Sequence, residues 1–574
     1  MIRKSFRSFA FLIVILAVML ASCATPTQEP APVQEPAAVV PATEVPATEV
    51  PVAAEPDSVL RVARLADHFN FFHPIEFQTG NQFQWFNCVF NTLIKVEADS
   101  KTVVPDLADS WEVSTDGTVY TFNLNKDASW HDGTPFTADD VVFTINWYAN
   151  NSTIDSTGAL ASAYKGFQPK WKDVAGAKEA AGTTKAVSGV EKVDDHTVKI
   201  TVSTVNAEFL TGLADAANII LPAHILKDAT AADVATLPFT VGTPGVTIGT
   251  GPYKLTAFTA DQLVELVANP DYFKGAPGID RVVFKLFADP TQAIAQIESG
   301  DLDLAFRIPP AEYDRLGANP NLKVISAKNP GVFRFTINTT SAPWDKVEIR
   351  QAIAYAINKQ AIVDSFYKGR AVVLYNHPGF KVYDDINKYD YDPAKAAELL
   401  KTGGYAGEPF NIVYDGTFPD AGAIMPLIQA DLVGAGIDAV LAPTDGAQSF
   451  VAALAERSTW AAAIGIGGSE ALTPDRTKQY YNPVASDTAG NSNYTNPRIF
   501  ELWKAGVSTV DPAARDEAYH ELALILNTDL PMIHLYSPNL VMASANTLGG
   551  GFDIHLNERE TFMDVETWTL APAN

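Results

Sequence analysis

The feature that most constrains the fold is a repeated change between two hydrophobic periods along the chain. Apolar and polar residues alternate at Tyr120–Leu124 and again at Thr197–Val202, which is the two-residue period of a half-buried strand. Further along, Ile349, Ile353 and Ile357 recur every four residues, as on one face of an amphipathic helix. Because both periods return many times, the sequence predicts an α/β fold.

Other segments extend this prediction. Asp392-Pro393 has the composition of a capped helix start, and a second helix is predicted at 426–432 with Pro426 in its first turn, followed by a strand at 437–441. Residues 151–190 are rich in Gly, Ala, Ser and Lys and are expected to form a polar surface insertion. A chain of 574 residues also exceeds the size of one core, about 250–300 residues, so at least two lobes are expected.

The charge of the chain excludes one class of partner. The formal net charge is −26, and Lys and Arg never occur in runs longer than two residues. Nucleic-acid binding requires a cationic surface that releases counterions from phosphates, so no nucleic-acid partner is expected. The chain has 2 cysteines, which excludes a disulfide framework.

The first 22 residues have the composition of an export signal. Arg3, Lys4 and Arg7 precede an apolar run of 12 residues, Phe9–Leu20, which is shorter than the about 20 residues that span a bilayer. The small residues before Cys23 resemble a bacterial lipobox, which implies cleavage after residue 22 and attachment of lipid to Cys23. An ordinary secretory signal with an incidental cysteine is the alternative. We expect the mature chain at the cell membrane, lipid-anchored and facing the extracytoplasmic side.

Residues 23–57 have the composition of a linker. The stretch from Ala24 to Pro56 contains 8 Pro and 5 Glu but no aromatic residue, Lys or Arg. Such a segment has too little apolar surface to form a core, and proline and charge repulsion extend it. We therefore predict a lipid-anchored spacer rich in Pro, Glu, Ala and Thr between the membrane and the folded body.

The stretch WHDGTPFTADDVVFTI at 130–145 holds a Trp, a His and three Asp. Asp132-Gly133 is a turn signal, and Thr137 with Asp140 has the spacing of a capping box at a helix N-terminus. A metal site would need further ligands at a diagnostic spacing, and the sequence does not supply them. The stretch therefore predicts a turn followed by a capped helix.

Several motifs in a fixed order resemble one known family. They include Pro105–Glu112, Trp130–Val141, Gly249–Tyr253, Asn269–Gly275 and Arg350–Lys359. Their order resembles that of the extracellular solute-binding proteins of ABC importers, family 5, which include peptide- and nickel-binding proteins. The resemblance extends over nearly all of the chain beyond the linker.

This resemblance implies a two-lobed fold of the periplasmic-binding-protein class, with an extra subdomain in the first lobe and two hinge crossings between lobes. The expected boundaries are 58–329 for lobe I with a subdomain at about 105–245, 330–535 for lobe II, and 536–574 for the return to lobe I. We expect the crossings near 328–336 and 530–538. A solute that touches both lobes would stabilise the closed state.

The resemblance also implies a role in transport. Such a protein captures a solute and delivers it to membrane permease subunits and their cytoplasmic ATPases. We expect a monomer. The family frequency makes an oligopeptide the first choice of solute, while an oligosaccharide, or nickel or another metal chelate, remains an alternative.

Enzyme functions are the alternative of another class. The chain has no Gly-x-Ser-x-Gly elbow, no His-Glu-x-x-His pair and no phosphate-cradling glycine loop. No catalytic residue, metal ligand set or cofactor is therefore predicted. Composition does not exclude a secreted carbohydrate-active hydrolase, which would use two carboxylates, and only the ordered motifs oppose it.

Candidate ligand-binding residues in the second half follow from the resemblance. In peptide-binding relatives, a strand that contains a Trp is followed by an Asp that holds the α-ammonium of the peptide. Here Trp460 begins the matching stretch, but Ser469 replaces that Asp, with Glu470 next to it and Asp475 beyond. Glu470 is either the substitute anchor or a loop carboxylate, and Trp460 either stacks on ligand or belongs to the core.

Further candidates lie after the first strand. Phe72, His73, Trp85 and Asn87 are predicted to line the ligand site, although histidines in such a setting are more often ordinary packed or surface residues. Cys88 adjoins them and is expected to be a small buried hydrophobic residue rather than a reactive thiol.

Overall fold

Two large sheets organise the part of the chain that the structure describes. The structure, a computed structural model, describes residues 58–65, 72, 75, 83–154, 160–162, 170–230, 232–233, 236–287, 289–329, 331–467, 474–478, 481, 492, 494–555 and 558–571. The predicted signal peptide, Cys23 and the predicted linker lie outside these residues.

The first sheet has seven strands and draws on both ends of the folded chain. Its strands, in spatial order, are Tyr253–Thr259, Leu263–Ala268, Arg281–Phe287, Val59–Leu65, Leu304–Ala305, Leu540–Ala545 and Leu322–Ala327. The central strand Val59–Leu65 runs parallel to both of its neighbours, and the other pairs are antiparallel. Leu60, Val62, Phe284 and Met542 belong to one apolar core against this sheet.

The second sheet has six strands from the second half of the chain. In spatial order they are Ala371–Val373, Met532–Pro538, Val332–Ile337, Ala462–Gly467, Phe410–Asp415 and Ala439–Thr444. Alternation along Val332–Ile337 places Phe333, Phe335 and Ile337 on one face, where they join a second apolar core.

The chain passes between these sheets at two short connections. Strand Leu322–Ala327 of the first sheet leads to Val332–Ile337 of the second, and Met532–Pro538 of the second leads back to Leu540–Ala545 of the first. The connections are therefore residues 328–331 and Asn539. The first falls within the predicted crossing and the second directly follows it.

A four-stranded antiparallel sheet extends the first core. Its strands, in spatial order, are Ala108–Val113, Val119–Leu124, Thr197–Thr201 and Val190–Asp194. Phe122 and Ile200 belong to the same apolar core as Leu60. Three two-stranded ribbons complete the described strands: Ile94–Val96 with Val103–Pro105, Ser152–Ile154 with Leu160–Ser162, and Leu548–Gly550 with Trp568–Leu570.

The helices begin at residues suited to helix starts. Asp392 caps one of them, since its side chain accepts a hydrogen bond from the Lys395 backbone N–H at 2.8 Å. The described α-helices are Phe83–Val89, Ala138–Asn150, Ala177–Ala180, Phe209–Leu213, Ala223–Leu226, Pro290–Ser299, Tyr313–Gly317, Val347–Ala356, Lys359–Ser365, Pro393–Thr402, Pro419–Gly434, Ala447–Ala455, Pro474–Thr477, Pro497–Val507 and Pro512–Asp529. Among them none is long and apolar enough to cross a membrane.

Two local predictions are wrong. Pro426 lies inside helix Pro419–Gly434 rather than in its first turn, because Pro419 already occupies that turn. The predicted surface insertion at 151–190 also contributes to the core: Trp171 and Val174 are each 1% exposed and pack in the first apolar core. A few isolated apolar residues are hidden when composition is averaged over a long polar stretch.

Candidate ligand-binding site

The stretch at 130–145 is a structural corner. The helix Ala138–Asn150 begins directly after Thr137, and the Asp140 carboxylate accepts the Thr137 backbone N–H at 3.0 Å. The same carboxylate accepts the Ala223 backbone N–H at 3.1 Å and the indole N–H of Trp130 at 3.3 Å. Burial raises the pKa of Asp140. The predicted turn and capped helix are confirmed, and the described residues contain no group of His, Cys, Asp and Glu that could hold a metal ion.

His131 joins this corner to a second sequence motif. Its Nδ1 accepts the Gly249 backbone N–H at 3.2 Å, and its Nε2 donates to the Gly251 carbonyl oxygen at 3.0 Å. Burial lowers the pKa of the imidazole to about 4. A neutral ring with one donor and one acceptor therefore fits both partners.

The two glycines allow close packing of backbone against backbone. A Cβ at Gly249 would lie 1.8 Å from the Val89 carbonyl oxygen, and one at Gly251 would lie 2.6 Å from the Cys88 carbonyl oxygen. The Cys88 thiol is buried, and burial raises its pKa. Both motifs of the first half thus serve the architecture rather than chemistry.

The candidate residues of the first half lie in the core of the first sheet. Phe72 is fully buried and packs edge-on against Phe86, with ring centroids 5.2 Å apart. Trp85 is 1% exposed and packs against Phe284. The Asn87 side-chain amide donates to the Arg559 carbonyl oxygen at 2.6 Å. The fourth candidate, His73, lies outside the described residues.

The candidates of the second half are described in part. Trp460 is 4% exposed, belongs to a small apolar cluster with Val413 and Ala463, and donates its indole N–H to the Leu454 carbonyl oxygen at 3.2 Å. Ser469 and Glu470 lie outside the described residues. Asp475 belongs to the short helix Pro474–Thr477, and its side chain is outside the description.

The structure assembles a basic group that the sequence analysis missed. Arg334 on strand Val332–Ile337 lies opposite His534 on the neighbouring strand, and the ring centroids of His534 and His377 are 5.4 Å apart. All three side chains are buried. The three residues lie too far apart along the chain to form a recognisable sequence motif. The signal available was an Arg between Phe333 and Phe335 in an otherwise apolar strand.

Comparison with known proteins identifies the family. Residues 102–491 match the model of the bacterial extracellular solute-binding proteins, family 5. The chain belongs to this family. It is therefore an extracytoplasmic solute-binding protein of an ABC transport system and not an enzyme, and the expectation drawn from the ordered motifs is confirmed.

Curated relatives match over most of their length. The chain is 30% identical over 484 residues to di/tripeptide-binding protein 1 of Pseudomonas aeruginosa, covering 80% of this chain and 86% of the relative. It is 29% identical over 468 residues to heme-binding protein A of Haemophilus influenzae, covering 78% of this chain and 81% of that protein.

Solved structures have the same fold. The ABC transporter substrate-binding protein CtaP of Listeria monocytogenes superposes with a TM-score of 0.76 at 25% identity, covering 90% of this chain and 100% of that one. The oligopeptide-binding protein AppA of Bacillus subtilis, solved with a nonapeptide, superposes with a TM-score of 0.70 at 22% identity, with the same coverage. The expected fold class, with two lobes, is confirmed.

Proposed function

We propose that the solute is a peptide and that it is captured between the two lobes. The observation that carries this proposal is the match over 80% of the chain to a protein named for di- and tripeptides. The two connections between the large sheets support a hinge, because short segments that join two lobes can absorb the rotation of closure. A peptide that contacts both lobes stabilises the closed state by its differential affinity.

The lobes proposed for this motion keep the predicted boundaries. Lobe I comprises 58–329 and the return segment 536–574, and lobe II comprises 330–535. The large sheets support this division, because the strands of the first sheet come from lobe I and those of the second sheet from lobe II. The exception is residues 536–538, which continue the last strand of the second sheet up to the second connection. Delivery then requires permease subunits and their ATPases as partners of a monomeric binding protein.

Membrane attachment through Cys23 completes the proposed function. The motivation is the charged start, the short apolar run and the small residues before Cys23. The full chain, expressed with its leader in a bacterium, is expected to partition into detergent and to incorporate a fatty-acid analogue. Cys23→Ala should abolish the labelling, and unchanged labelling of this variant would refute the lipid anchor.

We propose Glu470 as the anchor of the peptide α-ammonium, in place of the Asp that Ser469 replaces. A cation buried by closure costs several kcal/mol unless a carboxylate meets it. Asp475 is the next carboxylate along the chain, and Phe72, His73, Trp85, Asn87 and Trp460 remain candidates for contacts with the rest of the peptide.

The test is calorimetric titration of the purified protein with a panel of two- to five-residue peptides. Glu470→Gln should weaken binding by about 2–5 kcal/mol, as loss of one partner of a buried charge pair does. N-acetylated peptides should bind the parent poorly and lose little more in the variant. Glu456→Gln, at an exposed position of the same lobe, is the control that should bind normally.

The outcomes separate the parts of the proposal. Normal binding of free peptides by Glu470→Gln would reject this anchor while leaving peptide capture intact. Failure of every peptide to bind, with binding of heme or a nickel chelate instead, would reject the peptide as the solute.

A further inference from the structure

We propose that Arg334, His377 and His534 form an anion subsite that binds a carboxylate of the captured solute. This inference rests on the proposed function, since it assigns a chemical group to the solute. Neither the ordered motifs nor the relatives' names point to these residues.

The group lies beside the connections between the sheets. Arg334 is the third residue of strand Val332–Ile337, which follows the connection at 328–331 directly. His534 lies opposite it on Met532–Pro538, the strand that leads to the other connection. A ligand group held here would therefore lie close to the hinge, where lobe movement and binding are coupled.

Alternation along the strand separates this group from the apolar core. Phe333 and Phe335 pack in the core of the second sheet, and Arg334 and Thr336 lie on the opposite face. Arg334 is 5% exposed and Thr336 is fully buried. Burying an arginine in the middle of a sheet costs free energy of folding, which favours a functional role for its charge.

A glycine on the adjacent strand makes room for the guanidinium. Gly465 lies directly opposite Arg334 in the register of Ala462–Gly467. A Cβ at Gly465 would lie 3.1 Å from the Arg334 Cζ and 3.2 Å from its Nε. The guanidinium therefore rests on the bare backbone of Gly465, which fixes its plane across the sheet. A planar fork held in this way is preorganised for a carboxylate.

The two histidines supply further polar atoms at the same place. Their rings meet edge-on with centroids 5.4 Å apart, and His377 Nδ1 accepts the Gly379 backbone N–H at 3.1 Å. His534 Nε2 and Thr336 Oγ1 are buried and have no hydrogen-bond partner among the described residues. Buried polar atoms of this kind cost stability when unmatched, and a bound ligand atom would satisfy them.

The electrostatics favour an anion over a cation. Burial, together with the positive charges of Arg334 and Lys359, lowers the pKa of His534 to about 3. Lys359 is itself buried, and its ammonium donates to the Lys388 carbonyl oxygen at 3.2 Å. At neutral pH the histidines are therefore uncharged donors beside two cations. A solute carboxylate matches this set, whereas an ammonium or a metal cation is repelled.

The carboxylate has two possible sources in a peptide, the C-terminus and an acidic side chain. The experiment is calorimetric titration of the folded protein with trialanine, trialanine amide and Ala-Glu-Ala amide. If the C-terminus is the source, trialanine should bind about 30-fold or more tightly than its amide. If a side chain is the source, Ala-Glu-Ala amide should regain that affinity.

Arg334→Gln should remove most of the difference between acid and amide, and Arg334→Lys should retain part of it. Lys323→Gln is the matched control, since Lys323 is an exposed cation on the first sheet. Thermal melting of each variant shows whether it is folded. Equal affinity of the parent for all three peptides would overturn the anion subsite and leave peptide capture standing.

A second readout keeps the test decisive if no peptide binds. N-acetylglycine and N-acetylglycine amide are compared as additives in thermal melting of the parent and Arg334→Gln. Stabilisation by the acid alone, lost in the variant, would support the anion subsite although peptide capture had failed. If neither the peptides nor this acid acts in an Arg334-dependent way, the subsite is rejected.

Discussion

His131 packs in the first half of the molecule and is half-buried, and His534 packs in the second half and is buried, but the surroundings of the two rings differ. Both ring nitrogens of His131 are hydrogen-bonded to backbone groups of Gly249 and Gly251. His534 Nε2 has no hydrogen-bond partner among the described residues and lies opposite Arg334. Burial lowers the pKa of both imidazoles.

The difference separates two uses of polar residues inside a protein. A ring with both nitrogens satisfied adds rigidity and leaves nothing for a ligand to bind. A buried ring with an unmatched nitrogen, close to two cations, stores a cost that a solute can relieve. Substitutions around His131 are therefore expected to change the stability of the protein, and substitutions around His534 are expected to change the binding of the solute.

The largest effect is expected where the His131 corner is packed most tightly. Gly249→Ala would place a Cβ 1.8 Å from the Val89 carbonyl oxygen, and neither backbone segment can move without displacing the core. We expect a loss of more than about 4 kcal/mol of stability, or no folded protein. Urea denaturation followed by circular dichroism measures this change.

Gly422→Ala is the control for that substitution. Gly422 is exposed in helix Pro419–Gly434, and a Cβ there would meet no atom within 4 Å. Alanine is the better helix former, so this variant should gain about 0.5–1 kcal/mol. A well-folded Gly249→Ala protein would show that the corner around His131 is not rigid.

The next effect is a pH dependence carried by His131. The folded pKa of about 4 lies below the ordinary histidine value of 6.5, so the folded state binds the proton less readily than the unfolded state. Its contribution to stability is complete above about pH 6.5 and is lost as the pH falls towards 4, up to about 3 kcal/mol. Urea denaturation of the parent and of His131→Gln across this range measures it.

Because Glu560 also titrates in this pH range, the quantity to measure is the difference in stability between the parent and His131→Gln. Burial raises the pKa of its carboxyl to about 7, so its own contribution strengthens as the pH falls. This opposing trend cancels when His131→Gln is subtracted from the parent. The stability gap should be widest above pH 6.5 and should narrow towards pH 4; a constant gap would contradict the assignment of a neutral ring.

The sequence predicted more of the fold than of the candidate binding site. The capped helix after Thr137 and the helix after Asp392 follow from local rules that a few adjacent residues satisfy. The ordered motifs extended these local results to the whole fold. Arg334, His377 and His534 are far apart in sequence and come together only because distant segments of the chain pack side by side. No local sequence spacing predicts this contact. Glu470 and Ser469 lie outside the described residues, so their roles stay predictions.

Two buried threonines allow the two regions to be compared with the same type of side chain. Thr144 Oγ1 donates to the Asp140 carbonyl oxygen at 2.7 Å and accepts the Leu221 backbone N–H at 2.9 Å. Thr336 Oγ1 has no partner among the described residues. Thr144→Val should cost about 1–3 kcal/mol because a buried N–H loses its acceptor, whereas Thr336→Val should leave the unliganded protein as stable or make it more stable by up to about 1 kcal/mol, because it removes a buried hydroxyl that has no partner among the described residues. Equal losses, measured by urea denaturation, would erase the distinction between the two regions.

The smallest expected effect tests how firmly the anion subsite is held. Gly465→Ala adds one methyl group at 3.1 Å from the Arg334 Cζ, so the flexible end of that side chain must shift by a few tenths of an ångström. The affinity for a peptide with a free carboxylate should fall about 3- to 10-fold, since a misplaced fork loses part of its bidentate contact, equivalent to about 0.7–1.4 kcal/mol. Gly549→Ala is the strand control, because a Cβ there meets no atom within 4 Å. Calorimetric titration with trialanine and its amide should show the loss for the acid only. The same loss for both peptides would mean that Gly465→Ala perturbs the sheet rather than the guanidinium.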